Sequence, residues 1–136
     1  MNDPFVGAWK LNVARSEFDP NHRPSQGTMN WQLEPDGAYV MLAEGVTDKG
    51  NRVTEKPQRL FPDGKPYPIE SLPGLTSRTR RPDRNTIRAE VQREDGSLAG
   101  EGTYAVEDTG RTMIATTKGF DSQLRPFTMR TVWDRA

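Results

Sequence analysis

Two tyrosines, several strand glutamates and a dense group of arginines are the residues whose types and spacing suit chemistry. Tyr39 and Tyr104 can each hold or pass a proton, and Glu44, Glu55, Glu90 and Glu101 lie in stretches of alternating polarity. A glutamate turned into a dry cavity has its pKa raised and becomes a general acid or base. Tyr39, Glu44 and Tyr104 are therefore the catalytic candidates, although alternation puts most of the glutamates on an outward face. Arg78 and Arg80, with Arg81, Arg59 and Arg52, are denser than a solvated strand face requires. Arg78 and Arg80 share a parity, and turned inward they would grip a carboxylate or phosphate through paired donors; turned outward they would protect a sheet edge. His22 is the single histidine and there is no cysteine, so no metal site is expected and a Ser-His-Asp set would hang on one loop residue. Asp36, Asp63, Asp95 and Asp108 fall in glycine-containing turns, where aspartate serves local hydrogen bonding.

The elements that position these residues follow from composition and periodicity. A chain of 136 residues suits one domain spanning residues 1–136. Nineteen Lys plus Arg balance nineteen Asp plus Glu, so nothing favours a phosphate backbone, and nucleic acid is not an expected partner. No apolar run reaches the roughly 20 residues of a membrane-spanning helix. The first residues lack the charged and apolar regions of an export signal. That favours the cytoplasm for the chain as given, and a periplasmic or secreted location if a signal was removed. No cofactor is expected, and the oligomeric state is open. Only 32% of residues are hydrophobic and the mean hydropathy is -0.86, yet eleven aromatic residues run from end to end. A wide β-barrel accounts for both, because its strands alternate an outward polar face with an inward one.

Period two dominates the chain. Phe5, Gly7, Trp9 and Leu11 share one face of a first strand, and Ala14 to Ser25, with Pro20 and Pro24, reads as a loop with one short turn at Ser16 to Asp19. Thr28 to Glu34 and Ala38 to Val46 form a hairpin about Pro35-Asp36-Gly37. Arg52 to Phe61 follows, with Pro57 marking an edge or bulge, and then a Pro-rich stretch to Gly74. Leu75 to Arg81, Thr86 to Arg93, Leu98 to Glu107, Arg111 to Lys118 and Arg125 to Asp134 complete about nine strands, within a range of eight to ten. The short consecutive hairpins favour an all-β, up-and-down antiparallel barrel without a long helix.

Asp3-Pro4-Phe5-Val6-Gly7-Ala8-Trp9-Lys10-Leu11 resembles the opening strand of fatty-acid-binding proteins, and its G-x-W element also opens lipocalins. Val132-Trp133-Asp134-Arg135-Ala136 is similar to the closing strand of that calycin superfamily. Phe61 to Pro68 and Thr116 to Gly119 resemble a group of small bacterial lipocalin-like proteins. The resemblance implies that Trp9 plugs the closed end beneath an arginine, Arg130 or Arg111, with Gly7 permitting close approach. It also has departures. A Pro-containing loop replaces the two-helix lid, and alignment on Trp133 puts Thr131 where those proteins place a carboxylate-binding arginine, so fatty-acid binding does not carry over.

Met29, Trp31, Tyr39, Met41, Tyr104, Phe127, Met129 and Trp133 are expected to line a cavity, with Arg78 and Arg80 as candidate anion ligands. The leading expectation is a protein that binds a small, partly apolar molecule, with or without an anionic group. An isomerase, cyclase or hydratase using a tyrosine with an inward Glu or Arg is the alternative on the same scaffold, and a filled structural or interaction module is a third.

Overall fold

Alternating polarity becomes strand along nearly the whole chain. The computed structural model describes residues 3–18, 24–54, 57–69, 72–120 and 123–136. Its strands are β1 (Gly7–Glu17), β2 (Pro24–Leu33), β3 (Tyr39–Thr47), β4 (Arg52–Thr54), β5 (Gln58–Leu60), β6 (Pro66–Pro68), β7 (Thr76–Asp83), β8 (Thr86–Gln92), β9 (Leu98–Val106), β10 (Thr112–Phe120) and β11 (Pro126–Arg135). They lie in the order β4-β3-β2-β1-β11-β10-β9-β8-β7-β6, with β5 also paired to β3. Each neighbour on that path is adjacent in the chain except β1 and β11, whose antiparallel ladder joins the two ends. The result is an up-and-down antiparallel β-barrel. Among the described residues no ladder joins β5 to β6. No helix there is long and apolar enough to cross a membrane.

Local chemistry sets the hairpins. Asp36, Asp63, Asp83 and Asp95 each accept the backbone N–H two residues on, from Ala38, Lys65, Asn85 and Ser97, at 2.9–3.0 Å. These Asx turns hold the chain reversals without help from the interior.

Among the described residues eleven strands stand where about nine are expected. The Arg52 to Phe61 stretch divides into β4 and β5 on either side of residues 55–57, and the Pro-rich stretch supplies β6. Pro66 and Pro68 lie in a strand at the end of the sheet order, where a missing donor is tolerated. The loop expected from Ala14 is also shorter, because β1 runs on to Glu17 and β2 begins at Pro24. The register explains this. Asn12 pairs with Val132 but Glu17 pairs with Arg130, so Val13 to Ser16 bulge out opposite Thr131. Ser16 Oγ accepts the Val132 N–H at 2.8 Å and donates to the Asn12 carbonyl at 2.7 Å, so a side chain bridges the bulge. Ser16 and Glu17 are thus strand, not a turn, while His22 and Glu55 lie outside the described residues.

One end of the barrel is closed by aromatic packing. Phe5, Trp9, Trp31 and Tyr39 are fully or almost fully buried. The Trp31 ring lies 5.4 Å from Phe5 and 6.0 Å from Tyr39 between centroids. Trp9 donates its indole N–H to the Phe5 carbonyl at 3.0 Å. The arginine over Trp9 is Arg135, 3.9 Å from the ring centroid, and neither Arg130 nor Arg111. Arg135 faces Trp9 directly across the β1–β11 ladder, whereas Arg130 and Arg111 are exposed. Its guanidinium donates to the carbonyls of Val6 and Pro4, both at 2.7 Å, and of Gly110 at 3.1 Å. Gly7, at φ 128°, lets that group approach, since a Cβ there would sit 2.9 Å from Arg135 Nη1.

Candidate functional site

Toward the opposite end the inward positions change from large residues to glycine. Register places Gly27 of β2, Gly45 of β3, Gly102 of β9 and Gly119 of β10 on the same faces as Met29, Met41, Tyr104 and Ala115. Several large neighbours lie back against these glycines. A Cβ at Gly27 would meet Leu11 at 3.2 Å and Trp133 at 3.4 Å; one at Gly102 would meet the Tyr104 hydroxyl at 3.3 Å, and one at Gly119 the Phe127 ring at 3.3 Å. Side chains that would otherwise project into the lumen are laid along its wall, leaving a cavity of about 570 Å³. That volume falls within the usual range of small-molecule sites, roughly 300–1,000 Å³.

The cavity has two unlike walls. Gly27, Met29, Met41, Ala43 and Gly45 form a mainly apolar side on β2 and β3, joined by Leu11 and Phe18 from the β1 segment, with Gln26, Thr47 and Gln58 as its uncharged polar members. Tyr104, Ala115, Thr117, Met129, Thr131 and Trp133 form the other on β9 to β11. On this second wall Trp133 donates its indole N–H to Thr131 Oγ1 at 2.9 Å, and Thr131 Oγ1 donates weakly to the Ala115 carbonyl at 3.3 Å. Thr117 stands directly across the ladder from Gly102, over which the Tyr104 hydroxyl lies. Glu44 and Asp48 are the charged residues bordering the cavity, and no Lys, Arg or His is among its described lining residues.

Of the residues expected to meet a ligand, Met29, Met41, Tyr104, Met129 and Trp133 line this space. Trp31 and Tyr39 do not. They are buried in the packed closed end, where Trp31 donates to Met29 Sδ at 3.0 Å. Phe127 shares the inward face of β11 with Met129 and packs over Gly119, outside the cavity lining. Arg78 and Arg80 stand on the outer face, because Thr79 between them is the buried, inward residue, paired with Ala89. Arg78 pairs with Glu90 across the ladder. Arg80 Nη1 lies 3.9 Å and Arg88 Nε 3.6 Å from Glu90 Oε1, and Arg88 Nη2 lies 2.9 Å from Glu101 Oε2. Arg80 and Arg88 therefore form an outer charge lattice with Glu90 and Glu101, whereas Arg81 turns to Asp3 at the closed end.

The catalytic candidates are not brought together. Tyr39 donates to Asp3 and accepts from Arg81, whose guanidinium also lies 3.3 Å from Asp3 Oδ2. Burial, reinforced by the hydrogen bond to the Asp3 carboxylate, pushes the Tyr39 hydroxyl up from 10 to about 12, so it is a poor proton donor near neutrality. Glu44 borders the cavity but is exposed, and register puts it in an outer row with Lys10, Thr28 and Thr54. Only Tyr104 of the three both faces inward and lines the cavity. The lining also contains residues that sequence reasoning passed over. Thr117 and Thr131 share the parity of Met129 and Trp133, so alternation could have found them. Phe18 follows the β1 bulge, where periodicity breaks and gives no signal.

No protein-family model matches the chain, and no curated protein sequence matches it. Solved structures share its fold at low sequence identity. The wild-type fluorescent protein UnaG is 14% identical over 100% of both chains, with a TM-score of 0.64. As-p18, an extracellular fatty acid binding protein, is 15% identical over 98% of this chain and 97% of its own, with a TM-score of 0.55. A redesigned β-barrel, mFAP1, solved bound to DFHBI, is 13% identical over 97% of this chain and 95% of its own, with a TM-score of 0.54. At these identities the likeness is one of fold: the chain has a β-barrel of the fatty-acid-binding-protein, calycin-like kind.

Proposed function

We propose that this protein binds a small, mostly apolar molecule inside its barrel. The observation that carries this is the cavity of about 570 Å³, bounded mainly by Met, Ala, Gly and aromatic residues with Gln and Thr among them, and resting on a packed aromatic end. Methionines give adaptable apolar contact, so Met29, Met41 and Met129 suit a ligand that needs shape tolerance. The same-fold proteins As-p18, named for fatty acid binding, and mFAP1, solved with DFHBI, support a carrier role for such a barrel. Anion recognition through Arg78 and Arg80 is not part of this proposal, because both point away from the cavity. Catalysis by the Tyr39, Glu44 and Tyr104 set is likewise left aside, because Tyr39 is packed into the closed end, Glu44 faces outward and Tyr104 stands in the cavity without either.

Fluorescence titration with Nile red, a neutral apolar probe, tests the proposal. Wild-type protein is expected to bind one probe per chain with a blue-shifted, enhanced emission. Ala43→Trp, which places an indole on the apolar wall, is expected to abolish the signal without lowering Tm. No saturable signal in the wild type, or an unchanged signal in a folded Ala43→Trp variant, would overturn it. Native mass spectrometry of gently purified protein identifies any ligand that is retained.

A further inference from the structure

The β9 to β11 wall assigns a chemical class to that ligand: we infer that the cavity takes a neutral, hydroxyl-bearing apolar molecule, a long-chain or ring alcohol, with its hydroxyl at the Thr117–Thr131 step. This rests on the binding function proposed above and narrows it. Three hydroxyls lie on the one wall, those of Tyr104, Thr117 and Thr131, facing the Met, Ala and Gly of β2 and β3. Thr117 and Thr131 are diagonal neighbours on β10 and β11, since Ala115 pairs with Thr131 and Thr117 with Met129. Diagonal positions on one face lie about 7–8 Å apart, a gap that one hydroxyl oxygen spans when it hydrogen-bonds to an Oγ1 on either side.

The hydrogen bonds already made fix what each can offer. Thr131 Oγ1 accepts from Trp133 and directs its own proton to the Ala115 carbonyl, so what it has to spare is a lone pair. The Thr117 hydroxyl forms no hydrogen bond with any described residue and is free to donate. An alcohol completes this pair, giving its proton to Thr131 and accepting one from Thr117. A carboxylate has no proton for Thr131. It would also surrender its hydration in a space whose described lining holds no cation and whose bordering charges, Glu44 and Asp48, have its own sign. An ester can accept but not donate, and so satisfies one half of the pair.

Displacement of Nile red at neutral pH by 1-dodecanol, methyl dodecanoate and dodecanoic acid tests this on the wild-type protein. The alcohol is expected to bind about tenfold more tightly than the acid, with the ester between them. Thr117→Val is expected to bring the alcohol down to the level of the ester, whereas Thr117→Ser, which restores the hydroxyl, keeps its lead. Thr117 suits this test because its side chain holds no other described group in place, unlike Thr131. Equal or tighter binding of the acid, or an alcohol preference that survives Thr117→Val, would overturn the inference while the binding function stands. If Nile red binds and none of the three displaces it, the inference falls alone; if Nile red itself fails to bind, both fall together.

Discussion

Tyr39→Phe removes one oxygen from the closed end of the barrel and leaves every cavity-lining residue in place. That oxygen donates to Asp3 and accepts from Arg81. Hydrogen bonds to charged partners contribute about 1.5–3 kcal/mol each. The two cannot simply be added, because Arg81 already lies 3.3 Å from Asp3 and can close on it once the oxygen is gone. Some solvent also reaches both, with Arg81 26% and Asp3 15% exposed in their side chains. A net loss of about 1–2 kcal/mol is therefore expected, which lowers Tm by roughly 3–10 °C in a domain of this size. The effect carries a pH signature. The folded Tyr39 holds its proton up to about 12, against 10 for an unperturbed tyrosine, so the folded state binds that proton more tightly than the unfolded chain. The associated stabilisation is complete below pH 10 and is lost as pH rises from 10 to about 12. Urea denaturation of both proteins across that window should show their stability difference constant below pH 10 and shrinking above it. Nile red affinity should not change. A variant as stable as wild type, with no narrowing at high pH, would mean the hydroxyl is not held as described. Lost probe binding in a stable variant would place Tyr39 in the site after all.

Arg135→Lys should cost about 2–4 kcal/mol in urea denaturation, because one ammonium cannot reproduce a planar donor set serving three carbonyls and covering Trp9; full retention of stability would refute the capping role. Ser16→Ala leaves the Val132 N–H without its acceptor and should cost about 1–3 kcal/mol, with faster amide exchange at Val132 as the specific readout. Arg80→Gln should change stability by less than about 0.5 kcal/mol and leave the affinity for dodecanoic acid unaltered, since Arg80 is exposed and its nearest carboxylate oxygen is 3.9 Å away; weaker acid binding would restore it as an anion ligand.

Strand faces were legible in the sequence because each has a strict period of two. Met29 with Trp31, Tyr39 with Met41, and Met129 with Trp133 lie on one face each and all point inward. What alternation does not encode is height along the barrel axis. Trp31 and Tyr39 have the right parity but sit in the closed end, while Met29 and Met41, two residues away, reach the cavity. Arg78 and Arg80 expose a different limit. Their shared parity was plain, but its sign was set by Thr79, a small polar residue that binary patterning does not recognise as inward. The β1 bulge was invisible for a third reason: Ser16 replaces a backbone partner with a side chain, and such a substitution leaves no periodic trace.

The low hydropathy of the chain follows from the same division of the barrel. A filled barrel needs large apolar residues at inward positions along its full height. Here they are concentrated at the closed end, where Phe5, Trp9, Trp31, Tyr39, Ile87 and Met113 are buried almost completely. Beyond them the inward row gives way to Gly27, Gly45, Gly102, Gly119, Thr117 and Thr131. Glycine within a strand costs roughly 0.5–1 kcal/mol relative to alanine, so the four would together cost about 2–4 kcal/mol if nothing were gained. What they gain is room for their neighbours: Leu11 and Trp133 rest on Gly27, Tyr104 on Gly102 and Phe127 on Gly119. Gly102→Val puts branched carbons where the Tyr104 ring now lies, so the ring must swing into the lumen. It should reduce Nile red binding more than it reduces Tm. A variant that binds the probe as wild type does would show that the cavity is not opened by these glycines.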